Sequence, residues 1–173
     1  MELFETIKTR SSIRSFSDRP VPAELADKIA EAGTYAATGM NMQSPLIIEI
    51  SDKTLRDRLS KMNAAVMGRD GDPFYGAPLV FAVIADKNAP THVYDGSLVI
   101  GNMMLAAHAL GLGSCWIHRA KEEFESDEGK EILRSLGITG DYEGIGHLVV
   151  GYIEGELPEA RPRKDGYVVK VRC

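Results

Sequence analysis

The chain has 173 residues, 44% hydrophobic and 26% charged, which fits one domain over residues 1–173 whose core needs no disulfide or metal. Its formal net charge of −5 and pI of about 5.4 argue against a nucleic-acid or an anionic-membrane partner. The two cysteines, Cys115 and Cys173, predict free thiols, and the lack of a signal-like start or a bilayer-length apolar run predicts a cytoplasmic protein.

The predicted elements begin with a short amphipathic helix over Leu3, Phe4 and Ile7 that runs toward Arg10. Pro22 suits the first turn of a second helix. The remaining predictions are strand 46–50, helix 54–67, surface loop 68–76, buried strand 79–85, helix 97–110, strand 114–117, surface helix 124–136, strand 146–153 and a β-like tail over 167–171. Because helices and strands do not alternate strictly, the order favours an α+β fold.

Two guanidiniums and three hydroxyls fall within the six residues Arg10-Ser11-Ser12-Ile13-Arg14-Ser15, here called the arginine-serine segment. A guanidinium fork matches a phosphate group, and hydroxyls fill the remaining acceptor sites. The alternative is that Arg10 and Arg14, which share a face if the first helix continues, only complement the helix dipole. The dipole does not require the serines, so they favour the phosphate interpretation.

A second polar cluster, the amide cluster Met40-Asn41-Met42-Gln43, places two amides among thioethers after the second helix. In an extended loop both amides point to the same side, and amides suit the mixed donor and acceptor edge of a heteroaromatic ring. The alternative is a polar loop that merely follows a helix. Methionines beside the amides fit a pocket wall or a subunit contact.

The predicted helix 97–110 is apolar nearly all round, which is typical of a core helix or of one shared between core and dimer interface. Asn102 and His108 need partners if they are buried, and His108 is predicted to be a core histidine. Gly111-Leu112-Gly113 follows a helix rather than a strand, so it predicts a helix C-cap and not a dinucleotide fingerprint.

Two other site classes find little support in the sequence. The four histidines have no cysteine or histidine at ligand spacing, so no metal site is predicted. No Gly-x-Ser-x-Gly motif occurs, which gives serine-hydrolase chemistry little weight.

Five segments, 9–16, 20–22, 39–43, 101–113 and 151–152, follow one another across the chain, and by them it resembles the FMN-dependent nitroreductase family. The resemblance implies an α+β, nitroreductase-like fold with a central, mostly antiparallel sheet flanked by helices. It also implies an interlocked homodimer with FMN at the subunit interface.

The resemblance implies a set of cofactor-binding residues. Phosphate contacts would come from Arg10 and Ser12, with Ser11 nearby, and from Arg163 or Lys164, Arg161 being less favoured. Arg14 would lie near the phosphate or the pyrimidine edge. The other subunit would supply Thr38, Gly39, Met40 and Asn41, and Gln43 would reach the ribityl chain or the ring. Trp116, Ile117 and His118 would run along the isoalloxazine, with a backbone N–H facing N5.

The sequence departs from the family pattern at two places. Many relatives have Gln-Pro-Trp where this chain has Gln43-Ser44-Pro45. Many also have an acidic residue and glycine where this chain has His118-Arg119, a cation pair that favours an anionic substrate or has a structural role. The short segment 52–76 leaves little room for a lid, so the flavin face is expected to be accessible.

The activity implied is an FMN-dependent oxidoreductase that uses NADH or NADPH to reduce nitro compounds, quinones or similar small acceptors by a ping-pong mechanism. The flavin carries the chemistry, so no side chain is predicted to be catalytic, and Arg14 would stabilise the anionic reduced flavin. The alternatives are a non-catalytic flavin- or nucleotide-binding protein and a flavin-independent hydrolase.

Overall fold

Four antiparallel strands form one sheet in the order β1-β2-β4-β3, with helices on both faces, in a computed structural model that describes residues 2–172. The strands are β1 (Pro45–Ile50), β2 (Leu79–Asp86), β3 (Gly113–Ile117) and β4 (Tyr142–Gly151). The helices are α1 (Leu3–Thr9), α2 (Ala23–Thr34), α3 (Lys53–Met67), α4 (His92–Ala109), α5 (Ala120–Glu125) and α6 (Asp127–Ser135), with a 3₁₀ turn at Gly39–Asn41. The predicted α+β class with a mostly antiparallel sheet is confirmed.

The central strand β2 is buried on both sides because its side chains alternate between two apolar clusters. Val80 and Ile84 pack in the cluster that also holds residues of α3, α5 and α6. Phe81 and Val83 pack in the cluster that holds residues of α2 and α4. The core is therefore two layers, one on each face of the sheet.

Helix α4 lies across the second layer and begins at His92, five residues before the predicted start at 97. Its first turns carry the buried Asp95, whose carboxylate accepts hydrogen bonds from other parts of the chain. Asn102 Nδ2 donates to the carbonyl of Ala32 at 3.2 Å, which satisfies one of the polar groups flagged in the sequence. Gly111 adopts a φ of +78° just after α4, as predicted for a glycine that ends a helix.

The predicted surface helix over 124–136 is wrong, because the chain forms α5 and α6 with an extended residue, Ser126, between them. The Ser126 hydroxyl accepts from the N–H of Gly129 at 3.0 Å and so starts a new helix. Gly129 fits this corner because a Cβ there would lie 2.0 Å from the carbonyl oxygen of Glu123.

The predicted β-like tail over 167–171 is also wrong, since no strand forms there. Its side chains are exposed, up to 94% for Val171. Strand β4 is Tyr142–Gly151 rather than 146–153. Cys115 is a buried free thiol as predicted, and Cys173 lies outside the described residues.

Two further findings concern residues 2–172 only. No helix in this range combines the length and apolar character needed to cross a bilayer. The range also holds no group of three or more His, Cys, Asp or Glu side chains suited to a metal ion.

Candidate flavin site

The arginine-serine segment leaves α1 as extended chain and runs beside β3. The backbone turns at Arg10, with ψ of 128°, so the first helix does not continue and Arg10 and Arg14 do not share a helix face. Ser12 forms a parallel bridge with Ser114, and the N–H of Ile13 donates to the Ser114 carbonyl at 3.0 Å. Ile13 points into the core, so period-two geometry turns Ser12 and Arg14 outward.

The guanidinium of Arg10 lies close enough to His108 of α4 for its charge to act on the imidazole. Its Nη1 atom is buried and has no hydrogen-bond partner within residues 2–172. Nearby, His108 Nε2 lies 2.8 Å from Thr9 Oγ1, so the second polar group flagged in the predicted core helix also has a partner. Burial, reinforced by the charge of Arg10, lowers the pKa of His108. An anionic group of a ligand could accept a charge-assisted hydrogen bond from this buried cationic N–H.

The outer edge of β3 continues from the arginine-serine segment as an open row of backbone groups. The Ser114 carbonyl faces this edge because it accepts from Ile13 there. Residues two apart in a strand present their backbone groups to the same side, so the N–H of Trp116 faces the open edge as well. The Trp116 side chain lies over Gly146, where a Cβ would be 2.7 Å from Nε1.

A cavity of about 370 Å³ opens at this edge and brings together four of the predicted residues, Arg14, Trp116, Ile117 and His118. The opposite wall is the glycine-rich loop (residues 68–76), which contributes Arg69 and Tyr75. The loop was predicted as surface chain, and its role as a wall of this cavity was not predicted.

The glycine-rich loop is fixed by one carboxylate, that of Asp72. The carboxylate accepts from Arg56 Nη2 (2.5 Å), Ser60 Oγ (2.5 Å) and the N–H groups of Phe74 (2.9 Å) and Gly76 (2.7 Å). Burial alone would raise the pKa of Asp72, but these hydrogen bonds outweigh it and lower the pKa. The loop is thus a preformed wall rather than a free flap.

A buried polar network supports the end of β3 from behind. Asn63 Nδ2 donates to the carbonyl of His118 at 2.8 Å and to Glu123, while Asn63 Oδ1 accepts from Arg119 Nε at 3.0 Å. Glu123 in turn bonds His147 Nε2 at 3.0 Å, and both side chains are fully buried. Sequence inspection missed Asn63, Glu123 and His147 as supports of the site, since 60 residues separate the first from the second.

The amide cluster has a different shape from the predicted extended loop. Met40, Asn41 and Gln43 all have positive φ, so the loop is not extended and the argument that both amides point to the same side does not apply. The amides nevertheless meet, because Gln43 Nε2 donates to Asn41 Oδ1 at 3.3 Å. Thr38 Oγ1 accepts from the N–H of Gln43 at 3.2 Å and closes the turn.

The amide cluster is anchored at the start of α4, far from the arginine-serine segment. The N–H of Gly39 donates to Asp95 Oδ1 at 3.0 Å, and a Cβ on Gly39 would lie 2.2 Å from Thr91 Oγ1. Asp95 and His108 are 13 residues apart on α4, about 20 Å along the helix. One chain therefore does not gather both polar clusters around one point.

The C-terminal tail starts beside the arginine-serine segment. Ser11 Oγ donates to the carbonyl of Pro158 at 3.3 Å, which ties the two segments together. Arg163 and Lys164 lie farther along the tail and are exposed, and Lys164 Nζ sits 5.3 Å from the centre of the Tyr167 ring.

The sequence pattern of the nitroreductase family matches residues 7–152. The chain belongs to the nitroreductase family. A relative from Archaeoglobus fulgidus, provisionally named NADH dehydrogenase/NAD(P)H nitroreductase, is 31% identical over 160 residues, 90% of this chain and 87% of that protein. A relative of the same provisional name from Methanothermobacter thermautotrophicus is 32% identical over 121 residues, 67% of this chain and 60% of that protein.

The same family fold is present in a solved nitroreductase with bound FMN from Bacteroides fragilis. Its TM-score is 0.90 at 27% identity, over 99% of this chain and 100% of that chain. The overlap shows that the two chains share this fold over nearly their full lengths.

Proposed function

We propose that this nitroreductase-family chain is an FMN-dependent oxidoreductase that uses NADH or NADPH to reduce nitro compounds, quinones or similar small acceptors in a ping-pong cycle. The observation that carries the proposal is the buried Nη1 of Arg10, which has no partner among residues 2–172 and lies at the start of the segment that leads to the edge of β3. The FMN in the Bacteroides fragilis relative and the names of the archaeal relatives support the same activity.

The residues present fit a phosphorylated flavin. Arg10 and Ser12 would hold the phosphate, with Ser11 beside them, because a guanidinium and hydroxyls supply charge-assisted donors. Arg14 would approach the pyrimidine edge, and Trp116, Ile117 and His118 would line the ring. From a second chain, Thr38, Gly39, Met40, Asn41 and Gln43 would complete the site, and Arg163 or Lys164 would add a cation at the phosphate.

The protein's part in the chemistry is electrostatic and positional. When bound, the flavin supplies hydride acceptance from the dinucleotide and electron transfer to the acceptor. The Arg14 cation would stabilise negative charge on the pyrimidine side, and the Trp116 N–H offers a donor at the strand edge. Cys115 is not required as a nucleophile: burial raises the pKa of its thiol more than Arg14, Ser12 and Arg10 lower it.

The proposal includes a homodimer with the flavin at its interface. Helices α1 and α4 expose large apolar side chains, including Phe4 at 65% and Tyr94 at 72%, and Met40 of the amide cluster is 81% exposed. Exposed apolar surface on several elements favours a protein interface. A second copy would also bring its amide cluster to an arginine-serine segment that the cluster does not reach in its own chain.

Turnover tests the activity directly. The FMN-loaded protein is expected to oxidise NADH or NADPH when a nitroaromatic or a quinone is added, faster than the same concentration of free FMN, and with parallel double-reciprocal plots. Bound FMN without turnover above free FMN would support the non-catalytic alternative. A protein that does not bind FMN would favour the alternative of a flavin-independent hydrolase.

A further inference from the structure

The cavity at the edge of β3 is lined by arginines that form no ion pairs in the described chain. Arg14, Arg69 and Arg119 all line it. Within residues 2–172 none of the three has a carboxylate within 4.0 Å, although the chain as a whole carries a net charge of −5. Three guanidiniums facing one cavity without counter-charges mark a site for anions.

The carboxylates of the same cavity do not cancel these charges. The two oxygens of Asp72 are already shared among Arg56, Ser60 and two backbone N–H groups. Asp70 is the other carboxylate of the lining, and it makes no ion pair in the described part of the chain. One exposed carboxylate against three cations leaves a net positive wall.

Arg119 is held in place by a neutral group, so its charge stays available. Its Nε donates to Asn63 Oδ1 at 3.0 Å, and Asn63 is anchored in turn by the buried Glu123. No described acceptor takes the Nη atoms of Arg119. A fixed guanidinium costs less entropy when it binds a ligand than a freely rotating one does.

Arg69 lines this cavity and also the neighbouring groove that begins at Lys61. It lies in the glycine-rich loop, whose conformation Asp72 fixes, and its side chain is exposed. The proposed function assigns Arg14 to the flavin ring, which leaves Arg69 and Arg119 on either side of the space for a reacting molecule.

We propose that Arg69 and Arg119 bind an anionic group, a carboxylate or phosphate, of the molecule that reacts at the flavin, so that the enzyme prefers negatively charged substrates. This inference rests on the proposed function. The anion has two sources: an acceptor such as a nitroaromatic carboxylate, or the 2′-phosphate that distinguishes NADPH from NADH.

The test uses the FMN-loaded protein and paired substrates. The kcat/KM values for para-nitrobenzoate and its neutral isostere para-nitrobenzamide are measured for the wild type, Arg69→Gln and Arg69→Glu, each with NADH and with NADPH. Arg69→Gln is expected to lower the benzoate-to-benzamide ratio about three- to tenfold relative to wild type, and Arg69→Glu further. Comparing each variant with wild type cancels the different intrinsic reactivities of the acceptors.

A matched control removes a cation just outside the cavity. Lys61 is exposed, lines the neighbouring groove rather than this cavity, and makes no ion pair in the described chain. Lys61→Gln is expected to change the ratio less than about twofold, because exposed charges at that range are screened by salt. Bound FMN per chain, measured for every variant, checks that the fold is intact.

The outcomes separate the sources of the anion and the two proposals. A fall in the acceptor ratio supports the inference with the acceptor as source. A fall only in the NADPH-to-NADH ratio supports it with the dinucleotide phosphate as source. Unchanged ratios in an active Arg69→Gln enzyme overturn the inference and leave the proposed function standing. A wild type that turns over neither acceptor above free FMN overturns both.

Discussion

Arg10 has a buried hydrogen-bond donor, Nη1, that no acceptor in the described chain uses. Its Nη1 is buried and unpartnered, and its charge acts on His108 across the start of the arginine-serine segment. An unsatisfied buried donor costs about 1–3 kcal/mol or more when it carries charge. A bound phosphate would remove that cost, so Arg10 is the side chain expected to contribute most directly to phosphate binding.

His108 makes the stability of the protein depend on pH. Burial and the charge of Arg10 lower its pKa in the folded protein, so the unfolded chain takes up a proton first as the pH falls. Well above a pH of about 6.5 the imidazole is neutral in both states and contributes no pH dependence. The free energy of unfolding is therefore expected to fall as the pH drops below about 6.5, and less steeply in His108→Gln.

Urea unfolding of the FMN-free protein at several pH values measures this difference. Subtracting the variant's curve from that of the wild type removes the carboxylates that titrate in both proteins. Bound FMN is expected to reduce the effect, because a phosphate on Arg10 offsets the charge that disfavours the imidazolium. Parallel curves for wild type and His108→Gln would show that His108 does not carry the pH dependence.

Single residues were predictable where they cluster along the chain. The arginine-serine segment stands out because its guanidiniums and hydroxyls are consecutive, and the structure brings Arg14 into one cavity with Trp116 and His118. Asn63 and Glu123 had no such signal. Their contact exists only because α3 and α5 pack on the same face of the sheet.

Among the helices and strands, apolar runs predicted where an element lies in the chain but not where its backbone breaks or turns. The run 79–85 gave β2 because a strand buried on both faces needs continuous apolar sequence. The break between α5 and α6 depends on one capping hydroxyl, Ser126, inside an otherwise helical pattern. The amide cluster curls because Asp95 and Thr91 of a distant helix bind its backbone or crowd it, which the local sequence does not report.

The tail failed as a strand prediction for a different physical reason. Tyr167–Val171 has the β-branched and aromatic composition of a strand, but a strand needs a neighbour with which to pair its backbone. Among residues 2–172 no segment pairs with it, and its apolar side chains stay exposed. The composition of a segment gives its preference for a strand, but the strand forms only where a neighbouring strand pairs with its backbone.

For the molecule as a whole, the exposed apolar side chains of α1 and α4 favour a dimer, whose mass in solution can be measured. Sedimentation equilibrium is expected to give about 38 kDa, twice the 18.9 kDa of one chain. Loading with FMN is expected to shift a dissociating sample toward this mass, because the proposed site draws on both subunits. A mass of one chain with FMN bound would contradict the proposal that a second subunit completes the flavin site.

Comparing FMN with riboflavin tests the central claim, that the arginine-serine segment grips the flavin through its phosphate. Riboflavin lacks only that group. Wild-type protein is expected to bind FMN at least about tenfold, and up to about 100-fold, more tightly than riboflavin, as charge-assisted hydrogen bonds to a phosphate provide. In Arg10→Gln the ratio is expected to shrink toward one, whereas Arg134→Gln, which removes an exposed arginine on α6, keeps it. An Arg10→Gln protein with the wild-type preference for FMN over riboflavin would contradict the account.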